Sequence, residues 1–250
     1  MHSTIDSPKK PHDATVLQLA SRVHFNSTTT GGLNADAPEK DKKVHAMRRV
    51  QRFRDFDYQV WTDGSVVLDV SSGAGALVNP KVGRREKVML GAGSLVCNYR
   101  GECVAMEALL KRLAGVIGLG ETHRTRVVAF TDSLSLLMAL NAGPAAVEDA
   151  ILRRIWDLIL RVVRLRVSVN FQFVFSHCGV PRNEAADKAA EQGNAQSQSH
   201  PAWVAERCHW SGEATAPSPP HPSLGEHPSP AAPHPHPARV PPCWRPATSG

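Results

Sequence analysis

The 250-residue chain contains no run of 18 apolar residues, and its first residues include His2, Asp6, Lys9 and Lys10 where a secretory leader needs a continuous apolar stretch. Neither a membrane partner nor export is expected, and the expected location is intracellular, nuclear or cytoplasmic. Five cysteines (Cys97, Cys103, Cys178, Cys208, Cys243) occur without a CxxC pair or the Cys-to-His spacing of a zinc site. Reduced thiols are the simpler account. A strong charge is also missing from the centre of the chain. Residues 1–56 hold ten basic and six acidic side chains, residues 57–200 hold 16 and 14, and residues 201–250 hold three of each. The isoelectric point near 9.3 therefore reflects the leader, and charge alone is weak support for nucleic-acid binding.

Composition divides the chain into three parts. Residues 1–54 combine a short apolar patch (14–23), a Ser/Thr/Gly stretch (27–32) and a charge run (39–54). They read as a basic linker or arm, mostly disordered. Lys40, Lys42, Lys43, Arg48, Arg49, Arg52 and Arg54 could neutralise phosphates, although a solvated linker is the plainer reading. Residues 194–250 are rich in Pro, Ser and His, with about two-thirds of the 19 prolines beyond residue 200. Such a segment buries too little apolar surface to offset its ordering entropy, so disorder is expected. His221, His227, His234 and His236 lie there on a chain that does not preorganise them as ligands.

Residues 55–193 have the pattern of a folded domain. Residues 58–62 and 127–131 are short apolar runs suited to strands buried on both faces. Residues 73–78 and 87–96, separated by Asn79, Pro80 and Gly83, suggest an antiparallel meander with the first strand. In residues 167–175, Val167, Val169, Phe171, Phe173 and Phe175 alternate with polar neighbours, as in a half-buried strand. Helical spacing marks 102–114, with Gly115 as its end, then 134–140 and 147–166. The order implies an α/β domain with a mixed sheet.

Two of these strands run into an aspartate, in Trp61-Thr62-Asp63-Gly64-Ser65 and Phe130-Thr131-Asp132-Ser133. Charge at the end of a buried strand costs several kcal/mol unless a partner or metal compensates it. A single such aspartate is ordinarily a turn or cap residue, and Asp132 could cap the helix that follows. Glu102 shares a helix face with Ala105, Met106 and Leu109, the stripe that should pack on the sheet. A carboxylate there needs a purpose, whereas Glu107, rotated off that face, reads as solvated. Beyond the last strand, His177 occupies a loop, Pro181 favours a helix start, and Asp187 lies among Ala185, Ala186, Ala189 and Ala190, small residues that let a helix approach a sheet closely.

The ordered set WTDGS, an N-x-x-x-E helix start (Asn98 to Glu102), FTDS and SHCGVPRNEAADKAA resembles ribonuclease H type I. More narrowly, it is similar to the ribonuclease H segment of trypanosomatid non-LTR retrotransposon polyproteins, where that segment follows a reverse transcriptase. The resemblance implies a ribonuclease H-like fold, a five-stranded mixed sheet of order 3-2-1-4-5 flanked by helices. It implies endonucleolytic hydrolysis of the RNA strand of an RNA–DNA hybrid. Asp63, Glu102, Asp132 and Asp187 would hold two Mg²⁺ ions, with Mn²⁺ possible. Repulsion among four carboxylates is what such cations relieve. His177 would assist proton movement or product release and Glu184 would be auxiliary near the metals. Asn98, with Gly64 and Ser65, would contact nucleic acid, where 2′-hydroxyls distinguish RNA. Partners implied are the hybrid and a reverse transcriptase, with the chain itself a monomer.

The sequence also departs from the family pattern. Leu134 stands where many members have a nucleic-acid-contacting Gln, and Gly101 replaces a packing residue and should loosen the helix start. No room is left before the last strand for a separate basic loop; Arg153, Arg154, Arg161 and Arg164 on the preceding helix read as a solvated face. A second reading is a catalytically weak or silent relic that binds hybrid or serves as an appendage of a reverse transcriptase.

Overall fold

The computed structural model describes residues 18–27, 33, 36–68, 70–94, 97–117 and 124–198. Residues 28–32 of the Ser/Thr/Gly stretch, residues 14–17 of the apolar patch and the Pro/Ser/His-rich segment beyond residue 198 lie outside the described residues. Among the described residues, six strands and five helices follow in the order β1 (Val23–Asn26), α1 (Glu39–Arg52), β2 (Tyr58–Val67), β3 (Ser71–Pro80), β4 (Glu86–Gly91), α2 (Asn98–Ile117), β5 (Arg126–Thr131), α3 (Leu134–Asn141), α4 (Ala150–Arg164), β6 (Ser168–Phe173) and α5 (Pro181–Gly193).

All six strands belong to one mixed sheet, ordered β1-β6-β5-β2-β3-β4. The ladder β4-β3-β2-β5-β6 is the expected five-stranded order. The correction is a sixth strand, β1, which pairs in parallel with β6 from Val23 opposite Val169 to Asn26 opposite Gln172. Phe25 stacks on Phe171 with ring centroids 4.9 Å apart, so this short strand is held by aromatic packing as well as by its ladder. It also covers what would otherwise be an open edge of β6.

Each face of the sheet has its own core. Val60, Val127, Ala129 and Phe171 pack with α2, α3 and α4. Helix α4 fits this face because Ile151, Leu152, Ile155, Trp156, Ile159 and Val162 recur at helical spacing and are all buried. It begins at Ala150 and not at 147 because Asp149 caps it, accepting from the Ile151 N–H at 2.9 Å. Helix α2 runs past Gly115 to Ile117, which is buried. A Cβ at Gly115 would meet nothing within 4 Å; the glycine costs about 1 kcal/mol of helix propensity, and burial of Ile117 outweighs it.

On the opposite face Trp61 and Phe130 stack at 4.2 Å within a cluster that includes Ala46, Phe175 and Ala186. Residues 1–54, expected to be a linker, thus contribute both β1 and a packed helix: Ala46 of α1 is fully buried, with Val50 and Phe53 against the same cluster. Helix α5 lies directly on β3. A Cβ on Gly75 would collide with the backbone at Ala186 and Ala190, so the alanines of α5 and the glycines of β3 together permit the close approach. Packing also extends beyond residue 193. The Gln198 side-chain oxygen accepts from the Ser72 and Gly93 N–H groups at 3.3 and 3.0 Å, fastening the end of the described chain to β3. Among the described residues no helix is long and apolar enough to cross a membrane.

Candidate active site

Parallel pairing of β2 and β5 sets Thr62 opposite Thr131. The residues that follow, Asp63 and Asp132, therefore stand side by side. Asp132 does not cap α3; Ser133 does, through its Oγ and the Leu136 N–H at 3.4 Å. Glu102 enters from α2, and Asp63, Glu102 and Asp132 each offer one oxygen within 4.8 Å of the others.

Gly64 organises two of the three. Its N–H donates to Asp63 Oδ1 at 2.8 Å and to Glu102 Oε1 at 3.0 Å. A Cβ at Gly64 would lie 2.6 Å from Glu102 N and 2.8 Å from Gly101 C, so glycine is needed for α2 to come this close. Gly101 serves the same contact from the helix side: a Cβ there would sit 3.3 Å from Gly64 Cα and 3.2 Å from the Gly73 carbonyl oxygen. The expected loosening of the helix start is instead a close helix-to-strand crossing.

Burial makes this cluster electrostatically costly. Glu102 is 2% exposed, and its Oε2 is buried without a hydrogen-bond partner. Desolvation pushes the Asp63 carboxyl up to about 9, reinforced by Asp132 and Asp187. Glu102 is raised well above the carboxylate range by burial and then by Asp132 and Asp63. Asp132 rises to about 6 through burial, opposed first by a hydrogen bond from Asn183. Asp187 is raised by burial, with His177 pulling the other way. Such mutual repulsion is the condition that a bound hard cation relieves.

Asn183 is the site residue that sequence reasoning missed. Its Nδ2 donates to Asp132 Oδ2 at 3.4 Å, and it is 2% exposed. The available signal was its position four residues before Asp187, which places both on one face of α5.

His177 is exposed in the loop after β6, with a left-handed φ of 46°, and its Nδ1 lies 3.7 Å from Asp187 Oδ2. Glu184 joins His177 and Asp187 in a second group whose ligand atoms fall within 4.8 Å. Its Oε1 accepts from the Gly179 N–H at 3.1 Å, which holds the His177 loop. Asn98 is exposed at the first residue of α2, its carbonyl against Gly64. Ser65 is half-buried, and its Oγ accepts from Asn194 Nδ2 at 3.0 Å. The Gly64 N–H is already committed to the two carboxylates. Glu107, read as solvated, is in fact buried between Lys111 Nζ at 2.7 Å and Arg154 Nε at 3.3 Å. The packing of α4 across α2 delivers Arg154 and closes Glu107 off from water.

The protein-family model for RNase H matches residues 55–195. The chain belongs to the RNase H family. No curated protein matches it. Among solved structures, RNase H1 from the halophilic archaeon Halobacterium salinarum is 17% identical, with a TM-score of 0.41, over 54% of this chain and 96% of that one. The matched RNase H span opens just before β2 and closes just after α5. Strand β1 and helix α1 lie outside it, as additions to the family domain.

Proposed function

We propose that the protein is a metal-dependent endonuclease that hydrolyses the RNA strand of RNA–DNA hybrids, and that Asp63, Glu102, Asp132 and Asp187 hold its ions. The observation that carries this reading is the convergence of Asp63, Glu102 and Asp132 within 4.8 Å around the buried, unpartnered Glu102 Oε2. An all-oxygen donor set of this kind fits Mg²⁺, or Mn²⁺ in its place. When bound, two such ions supply Lewis acidity that offsets charge gathering on the scissile phosphate and lowers the pKa of a water.

The chain's own residues do the positioning. The Gly64 N–H holds Asp63 and Glu102 in a fixed relation, and Asn183 orients Asp132. His177, exposed beside Asp187, carries a proton at the edge of the site, and Glu184 keeps its loop in place. Asn98, exposed at the start of α2, and half-buried Ser65 meet the hybrid, while buried Gly64 acts only through the two carboxylates its N–H holds. Descent from a retrotransposon and partnership with a reverse transcriptase rest on the motif resemblance alone.

The test is cleavage of end-labelled RNA in a hybrid, with Mg²⁺ and with chelator, by the full chain and by Asp132→Asn. The expected result is Mg²⁺-dependent cleavage that falls by orders of magnitude in the variant, which removes a ligand charge while keeping its shape. Failure of the parent to cleave would leave the silent, hybrid-binding relic as the better account.

A further inference from the structure

Helix α1 carries six basic side chains against two acidic ones. Its inward face is fixed by Ala46, Val50 and Phe53 on the Trp61 and Phe130 cluster. Its outward face presents Lys40, Arg48 and Arg52, all exposed, and among the described residues none of the three is in an ion pair.

The start of this helix is seated on the loop that bears His177. The Lys43 side chain crosses Gly179 so closely that a Cβ there would be 3.0 Å from its Nζ and 3.4 Å from its Cε. His45 meets the Phe175 ring edge-on at 6.3 Å, and Lys42 Nζ lies 5.6 Å from the same ring. Further along, Arg48 and Arg52 line an open hollow of about 540 Å³ with Arg49, His45 and Asp41.

We propose that the outward face of α1 grips the phosphate backbone of the RNA–DNA hybrid beside the His177 loop; this rests on the function proposed above and names the surface that supplies its affinity. Residues 57–200 are nearly neutral, with 16 basic and 14 acidic side chains, and α4 passes into β6 through residues 165–167 without an inserted basic loop. The local excess of positive charge falls on α1. From Lys40 to Arg52 the helix rises about 18 Å at about 1.5 Å per residue, comparable to about five nucleotides of one strand at about 3.4 Å each. Contacts of this kind go to phosphates and carry no sequence information, which suits an enzyme that must act on any hybrid.

The experiment measures binding of the full chain to a fluorescent hybrid of about 20 base pairs, in chelator, across a salt series. It compares Lys40→Gln/Arg48→Gln/Arg52→Gln with Arg84→Gln/Arg161→Gln/Arg164→Gln, which loses the same charge from exposed positions outside α1. Each phosphate contact contributes about 0.7–0.9 to the slope of log K against log salt. The α1 triple should lower that slope by about two and weaken binding at low salt about tenfold or more. The second triple should shift both far less. Arg48→Glu, a single exposed change, gives an independent reading if the α1 triple fails to fold, with a slope loss of at least about one. Equal effects from the two triples would mean that only net charge matters, and the inference would fall. Parental binding by the α1 variants would also overturn it, and would leave the face to an acidic protein partner. In that case a parent that still cleaves hybrid preserves the proposed function; a parent that neither binds nor cleaves removes both.

Discussion

The Gly64 N–H donates to Glu102 Oε1 at 3.0 Å, joining the middle of β2 to the start of α2 across 38 residues of chain. Gly64→Ala would drive a methyl group into the backbone of Gly101 and Glu102. Because backbone cannot rotate away as a side chain can, α2 must shift. A loss of about 1–3 kcal/mol in stability is expected by denaturant unfolding, together with a higher Mg²⁺ requirement for cleavage. A variant with parental unfolding midpoint and Mg²⁺ dependence would show that the contact is loose.

Raised carboxyl pKa values fix the direction of pH dependence in the metal-free protein. A group whose folded pKa lies above its unfolded value stabilises the fold below the ordinary carboxylate range, near pH 4, and loses that contribution as pH rises through the folded value. For Asp132 the loss accrues between about pH 4 and 6 and for Asp63 between about pH 4 and 9. The metal-free Tm should fall as pH rises from about 5 to 9. Mg²⁺ should raise Tm more at pH 8 than at pH 5, where protons compete for the same oxygens. A metal-free Tm that climbs steadily over this range would contradict the electrostatic account of the cluster.

His177 occupies a left-handed backbone position that asparagine tolerates. His177→Asn therefore removes the imidazole with little backbone cost. Turnover should drop about 100-fold, the lower end of the range for general acid–base groups, while the Mg²⁺ requirement stays as in the parent. Abolition as complete as in Asp132→Asn would make His177 part of the ion-holding set.

Much of the central fold and three of the carboxylates could be read from residue pattern because their signals are local. Apolar runs ending in Asp63 and Asp132 are strands that finish at a charged edge, and Glu102 lies on the apolar stripe of α2. The missed features depend on partners distant in sequence. Strand β1 is four residues long, and nothing near Val23 or Phe25 announces pairing with a strand almost 150 residues later. Helix α1 hides its inward residues, Ala46 and Val50, among lysines and arginines, so charge masks its amphipathicity. Glu107 looked solvated because its burial depends on Arg154 arriving from α4. Asn183 and Gln198 act through side-chain hydrogen bonds to remote groups, and an amide has no periodic signature.

Removal of residues 1–54 tests whether the additions to the RNase H domain are structural. Without α1, the Trp61, Phe130 and Phe175 cluster loses its contacts with Ala46, Val50 and Phe53. Without β1, Phe171 loses the stacked ring of Phe25, and Trp156 loses the same ring at 5.9 Å. The β6 edge is then left with open N–H and C=O groups on the β1 side. Full burial of a large apolar side chain is worth about 1.5–3 kcal/mol; Phe25 and Phe53 are partly buried and Val23 and Ala46 are buried, so together they bring the expected loss to a few kcal/mol. The shortened chain should unfold at a clearly lower denaturant concentration and show a greater tendency to associate through β6. A basic linker would be dispensable, so an unchanged unfolding midpoint would mean that β1 and α1 add nothing to the folded state.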